Sequence, residues 1–395
     1  MSAVAKTERK APRLIGIREL VLLAIIIALL SFFIFSGREK TIWAIVFEFS
    51  IFAIITLSLN LETGFTGIPQ FGRVAAVITG AFAVGALPGR LMAYIIGEPW
   101  GAEYANAVFN YRIVPVINEL LASNIFYSIG FLLLCLFTAA VFGAAIGWLI
   151  SRPAIRLKEA YLGISLLAFG DFFMWVGHNW NIMVGGSTPI NVPDPFRIFG
   201  GDRFMAAVLV LFFIAIVIYI YLERLTKSPF GRNLKMIRDN EVSASAAGLD
   251  VVKVRTRSLV IGSAIAAMGG GLYVIYTGSI GAIGFQKLTF TFWPWAYMML
   301  GGIGSNFGVL MGVMLLVILK TMIIVFRYDW FAFMVNVGID PMWLEFTLMG
   351  AVIVLVILFV PHGLVPEKVE PVLPEERVKR VLAKRQLEKT SEPVS

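Results

Sequence analysis

Four stretches of this chain, Leu20–Ser36, Phe126–Ile150, Phe204–Leu222 and Ser258–Thr277, contain no charged residue. A helix needs about 20 apolar residues to cross the hydrocarbon core of a bilayer, and the last three runs reach that length or come within a residue of it. Lipid offers no partner for backbone N–H and C=O groups, so runs like these must fold as helices. The chain is therefore read as an all-α, polytopic membrane protein. Composition agrees: 58% of the residues are hydrophobic and 15% charged, whereas a soluble domain is nearer half apolar and a quarter charged. Trp43–Leu61, Tyr161–Gly177 and Trp343–Val360 each carry one acid, Glu48, Asp171 and Glu345. Thr291–Leu319 is uncharged but interrupted by Gly301, Gly302 and Gly304. The first run is followed by Arg38, Glu39 and Lys40 rather than a small-residue cleavage site, and reads as a retained span. Cys135 lies inside an apolar run and reads as a packing residue.

The net charge of +8 matters less than where the charges lie. Residues 223–257 hold eight Lys or Arg against four acids. Arg152, Arg156 and Lys158 form a second cluster, and Lys6, Arg9, Lys10, Arg13 and Arg18 precede the first span. Basic residues gather in cytoplasmic loops, so these three places are expected inside the cell. Anionic lipid then accounts for the charge, and no nucleic acid is required. Spans near 20–36, 43–61, 73–96, 126–150, 161–178, 204–222, 258–277, 291–300, 307–326 and 343–360 satisfy that placement. The expectation is about ten helices, within a range of about eight to eleven set by weak spans at 73–96 and 291–300. The first carries Arg73 and Arg90, and the second is short. Both termini fall inside, giving a cytoplasmic segment 1–19, a membrane domain 20–362 with a cytoplasmic loop 223–257, and a cytoplasmic tail 363–395. The stretches Pro88–Ile125 and His178–Arg203 read as external loops. The tail is charged and dotted with Pro, and reads as partly disordered.

Two Gly clusters break the apolar pattern. In Asn60–Gly85, Gly64, Gly67, Pro69 and Gly72 fall within nine residues, which rules out a regular helix there. Thr66, Gln70 and Arg73 place polar groups in it. Irregular backbone at membrane depth belongs inside protein or beside water. The segment is either the lining of a translocation path or a tight turn. Met299–Gly308 is the second break, and "GIGSNFG" faintly echoes "GIPQFG" at Gly67–Gly72. Ser263, Ala267 and Gly271 recur every fourth residue, a spacing that lets helices approach closely, in the core or at a subunit interface. Asp171 either meets substrate or a proton, or pairs with Arg73 or another span; Glu48 and Lys320 have the same ambiguity. Gly185 and Gly186 allow unusual backbone in an external loop, where Asn181, Ser187 and Thr188 either meet an arriving polar ligand or belong to an ordinary turn-rich connection. The two His residues stand alone, no metal-ligand spacing or catalytic set is present, no phosphate loop occurs, and neither cofactor nor enzymatic activity is expected.

Between two of the most apolar runs lies "SPFGRNLKMIRDNEVSASAAGL", Ser228–Leu249. Ser228 suits a helix N-cap, Pro229 the first helical position and Gly248 the C-terminal stop. Phe230, Leu234, Ile237 and Glu241 project to one side of a helix; Arg232, Lys235 and Arg238 project to another. The residues alone leave two partners open, an anionic lipid surface or a cytoplasmic protein.

That insert, with "GFTGIPQFGRVAAVITGAF", "YLGISLLAFGDFFMWVGHNWNIMVGGS" and "GGIGSNFGVLMG", resembles the permease family of branched-chain amino acid ABC transporters, which includes urea and short-amide relatives. The resemblance runs from about Ile42 to Leu364. It implies a related second permease, two cytoplasmic ATP-binding cassette subunits and an external substrate-binding protein, working by alternating access in the cell membrane. It further implies that Ser228–Gly248 is a coupling helix, with Ser228, Pro229, Phe230, Gly231, Arg232, Arg238, Glu241 and Gly248 its coupling residues. Thr66, Gln70, Arg73, Asp171, Gly185, Gly186 and Ser187 would line the path. The chain departs from the family pattern at Gln70-Phe71-Gly72-Arg73, usually Ser-Leu-Gly-His, at Asp171, usually Glu, and at Pro189-Ile190, usually Gly-Leu. The alternative is a proton-coupled secondary transporter using Asp171 or Glu48.

Overall fold

The computed structural model describes residues 17–97, 102–157, 159–330, 344–360 and 363–367. The basic cluster Lys6–Arg13, Lys158, His362 and the tail from residue 368 lie outside them. The helices in chain order are α1 (Ile17–Phe35), α2 (Thr41–Leu59), α3 (Arg73–Ile96), α4 (Ala102–Ala105), α5 (Ala107–Ser123), α6 (Ile125–Arg156), α7 (Glu159–Asn179) and α8 (Asn181–Val184). They continue with α9 (Arg203–Lys227), α10 (Pro229–Asp239), α11 (Glu241–Ala246), α12 (Val251–Thr277), α13 (Trp293–Gly301), α14 (Asn306–Trp330) and α15 (Leu344–Phe359). One short antiparallel pairing, Ile190 with Ile280 and Asn191 with Ser279, ties the loop before α9 to the loop after α12.

The protein is an all-α, polytopic membrane protein. Six helical stretches among the described residues are long and apolar enough to cross a bilayer: Thr41–Phe65, Arg73–Ile96, Ile125–Pro153, Pro195–Lys227, Val251–Thr277 and Asn306–Phe326. The weak span at 73–96 is one continuous 24-residue helix, with Arg73 and Arg90 buried rather than facing lipid. Residues 291–300 do not make a full span. The nine-residue α13 rises only about 13 Å and follows a π-helical turn, Leu288–Phe292. The stretch expected as an external loop, Pro88–Ile125, is largely helical. Pro88 sits within α3, and α5 buries Asn110, Ile113, Val114, Ile117 and Leu121 on one stripe. That spacing is the signature of an amphipathic helix, and Asn106 caps it by accepting the Val108 N–H.

The core centres on α3, α6 and α12, which pack against one another. Small residues make this possible. A Cβ on Gly80 would strike the Ala267 backbone, and one on Gly270 the Val77 carbonyl. Gly143 and Gly147 meet α12 at Ala267, Ser263 and Leu259. The stripe Ser263–Ala267–Gly271 therefore serves the internal core.

Candidate functional site

The fold draws both Gly-rich breaks to the end of the bundle where the insert lies. α2 runs into a π-helical turn, Asn60–Phe65, after which the chain is non-helical to Gly72. Gly67 adopts φ +78°, a conformation glycine reaches without penalty. Asn60 Oδ1 accepts the Gly304 N–H at 2.9 Å, and Asn60 Nδ2 donates to Asn306 at 3.0 Å. Asn306 donates in turn to Glu223 and Thr226 at the end of α9. A Cβ at Gly64 would collide with Asn60 and the Gly304 N–H. The π-helical turn that precedes the first echo segment is thus in direct contact with the second.

Arg73 lies at the heart of the first break. It pairs with Glu62 at 2.6 Å, and both side chains are fully buried. Asp171, one of the partners left open for it, is not the acid it meets. Gln70 donates to Glu62 at 2.9 Å, and Thr66 and Ser258 share a 2.8 Å hydrogen bond. Gly262 leaves room for the Glu62 carboxylate, since a Cβ there would overlap it. An ion pair sealed from water stays favourable only while both members are present and hydrogen-bonded. The half-helix α13 joins the same break. Thr291 accepts the Val74 N–H at 3.1 Å, Trp295 donates to the Gln70 carbonyl at 3.0 Å, and the Phe71 and Trp295 rings stack 4.7 Å apart.

The insert forms two helices, not one amphipathic helix with a continuation. Asn240 is extended, ends α10, and caps α11 by accepting the Ser243 N–H. Glu241 is therefore not on the α10 face with Phe230, Leu234 and Ile237; it pairs with Arg255 at 3.0 Å. Ser228 occupies the N-cap position, but its hydroxyl donates back to the Leu225 carbonyl. Pro229 opens α10, Gly248 ends α11 at φ +85°, and Gly231 is buried against the Thr226 carbonyl. Arg232 faces outward, whereas Lys235 and Arg238 turn inward and grip Glu367 at 2.7 and 2.8 Å. Arg238 also donates to the Gly64 carbonyl at 2.7 Å. Burial disfavours the Arg238 charge, but Glu367 and Asp239 outweigh it and push its pKa above the ordinary arginine value. Residues 363–367, the start of the stretch read as a tail, pack against the bundle here. Leu364 and Val365 donate backbone hydrogen bonds to Leu300 and Gly301, beside the second break.

The other expected path residues lie elsewhere. Asp171 pairs with Lys287 at 2.7 Å, and Glu48 with Lys320 at 2.8 Å. Gly185 and Gly186, at φ +79° and +64°, and the exposed Ser187 lie in the turn between α8 and Ile190, far along α7 from the breaks. A cavity of about 600 Å³ opens between the first break and α7, lined by Pro69, Phe71, Gly163, Ile164, Leu167 and Phe292.

The family model described as "Branched-chain amino acid transport system / permease component" matches residues 41–357. The chain belongs to this family. It is a transport subunit, not an enzyme. Among curated permeases, it is 36% identical over 336 residues to the probable branched-chain amino acid transport permease protein LivM of Methanocaldococcus jannaschii, covering 85% of this chain and 95% of that one. It is 24% identical to the high-affinity branched-chain amino acid transport system permease proteins LivM of Salmonella typhimurium and Escherichia coli, over 80% of this chain and 68% of each. No solved structure matches. Sequence reasoning about this permease missed Glu62, Lys287 and Glu367. Glu62 and Lys287 carried a usable signal, each a lone charge bordering a Gly break or an apolar run.

Proposed function

We propose that this permease belongs to an ATP-driven importer that carries branched-chain amino acids across the cell membrane by alternating access. In this reading two ATP-binding cassette subunits seat on the insert at the cytoplasmic face. A related permease completes the membrane unit, and an external binding protein delivers the cargo. Both termini lie inside. The observation that carries the reading is the path from the insert into the membrane. Exposed Arg232, Glu241 and Val242 offer a surface, while Arg238 on the same insert bonds to the Gly64 carbonyl within the first break. A cassette pair that binds one permease conformation more tightly shifts the equilibrium by that difference in affinity alone. The apolar lining of the cavity favours an aliphatic cargo over urea or a short amide. Asp171 and Glu48 are each held by a lysine, and no observation favours either as a proton site.

Reconstitution of the purified complex tests the proposal. L-leucine uptake into proteoliposomes should require ATP on the side of the insert and stop with a non-hydrolysable analogue. Uptake that persists without ATP and follows a pH gradient would overturn it.

A further inference from the structure

Among the described residues, the Asp171–Lys287 pair differs from the Glu62–Arg73 and Glu48–Lys320 pairs. Glu62 and Arg73 are sealed at zero exposure, and Lys320 and Glu48 are 14% and 26% exposed. Lys287 and Asp171 are 35% and 41% exposed, although Asp171 lies two-thirds of the way along α7. Its neighbours on that side, Ile164, Phe172 and Trp175, are exposed apolar residues. A charge pair open to hydrocarbon is costly, so such residues face protein or a water-filled space. The cavity described above begins one helical turn away, at Leu167. On α7, residues 164, 167 and 171 follow the i, i+3, i+7 spacing of one helical face, and Ile164 and Leu167 line the cavity. Lys287 immediately precedes the π-helical turn that ends at Phe292, a residue of the opposite wall.

We propose that Asp171 and Lys287 are the head-group site for an aliphatic α-amino acid. The Asp171 carboxylate takes the α-ammonium, Lys287 takes the α-carboxylate, and the branched side chain enters the cavity between Phe71, Ile164, Leu167 and Phe292. The argument is charge conservation. A zwitterion brings one charge of each sign, so it splits the pair and leaves the site neutral before and after binding. An amine or an acid alone leaves one protein charge uncompensated. The volume of about 600 Å³ lies within the range of small-molecule sites. Lys287 couples occupancy to the turn that leads into α13 and its contacts with the first break.

The site rests on the transport reading above, and the test separates the two. The assembled complex in proteoliposomes is assayed for L-leucine uptake, with isopentylamine (no carboxylate) and 4-methylpentanoate (no ammonium) as competitors. Neither should compete, whereas L-isoleucine should. In complexes that assemble by gel filtration, D171N and K287Q should raise the leucine KM about tenfold or more, the loss expected for one charge-assisted hydrogen bond, with little change in kcat. Leu167→Trp should shift preference from leucine toward alanine. The exchange Asp171→Lys with Lys287→Asp keeps an ion pair but inverts the head group, and should keep KM raised. Wild-type KM in D171N and K287Q, or in the exchange, would show a merely structural pair and overturn the site. Competition by isopentylamine or 4-methylpentanoate would do the same. A wild-type complex that moves no amino acid would instead defeat the transport reading.

Discussion

Where α3, α6 and α12 meet, the contacts are backbone against backbone, made possible by Gly80, Gly143, Gly147 and Gly270. Where the breaks meet the insert, the contacts are directional and polar: Asn60 to Gly304, Glu62 to Arg73, Arg238 to Gly64. The first region is regular helix, the second π-turn and loop. A close-packed seam has one arrangement, because any slide pushes atoms into occupied volume. A hydrogen-bonded break can exchange partners without opening a cavity. Movement in transport is therefore expected at the insert end, with the seam as the frame it moves against.

Substitutions should separate the two regions on stability, while transport follows a different order. The largest stability effect is expected for Glu62→Gln, which leaves Arg73 buried without its counter-ion and should cost about 3–5 kcal/mol. Thermal unfolding in detergent should show it, and a double replacement of Glu62 and Arg73 by Leu should recover a large part. Next, Gly270→Val drives side-chain atoms into the Val77 carbonyl and should cost about 1–3 kcal/mol; uptake per folded molecule should survive. Gly248→Val forces a branched residue to φ +85° and should cost about 1–2 kcal/mol. Arg238→Ala, losing its bonds to Gly64 and Glu367, should cost a similar amount. Both should leave a folded permease that does not transport. The smallest stability change, about 0.5–1 kcal/mol, is expected for Glu241→Lys, which exchanges the half-exposed pair with Arg255 for a like-charge contact. It should nonetheless abolish uptake and weaken co-purification of the cassette subunits. Normal uptake and normal co-purification in Glu241→Lys and Gly248→Val would remove the coupling role of the insert.

The sequence showed best what depends on local chemistry. The uncharged runs announce their helices because lipid leaves the backbone no alternative. Gly64, Gly67, Pro69 and Gly72 announce a break because no helix tolerates them together. Pro229 and Gly248 bound the insert for the same kind of reason. The partners of the charges were not legible. Arg73 had Asp171, Glu48 and Glu62 to choose from, and only the fold of the π-turn decides for Glu62. Lys287 and Asp171 stand 116 residues apart, and nothing local links them. Glu367 lies in a stretch whose composition reads as a tail, yet the backbone bonds of Leu364 and Val365 hold it against the insert. α5 was legible in hindsight, because its apolar stripe is regular once Pro115 is accepted within a helix.

The approach of Gly231 to the Thr226 carbonyl has a mechanical consequence. Only Ser228 separates α9 from α10, and the elbow they form has no spare volume on its inner side. Such a joint has almost no backlash. Under the proposed coupling, a push on the outer surface of α10 would turn α9 rather than bend at residue 228, and Glu223 and Thr226 at the foot of α9 are bonded to Asn306. The proposed stroke at the surface would then reach the second break with little loss.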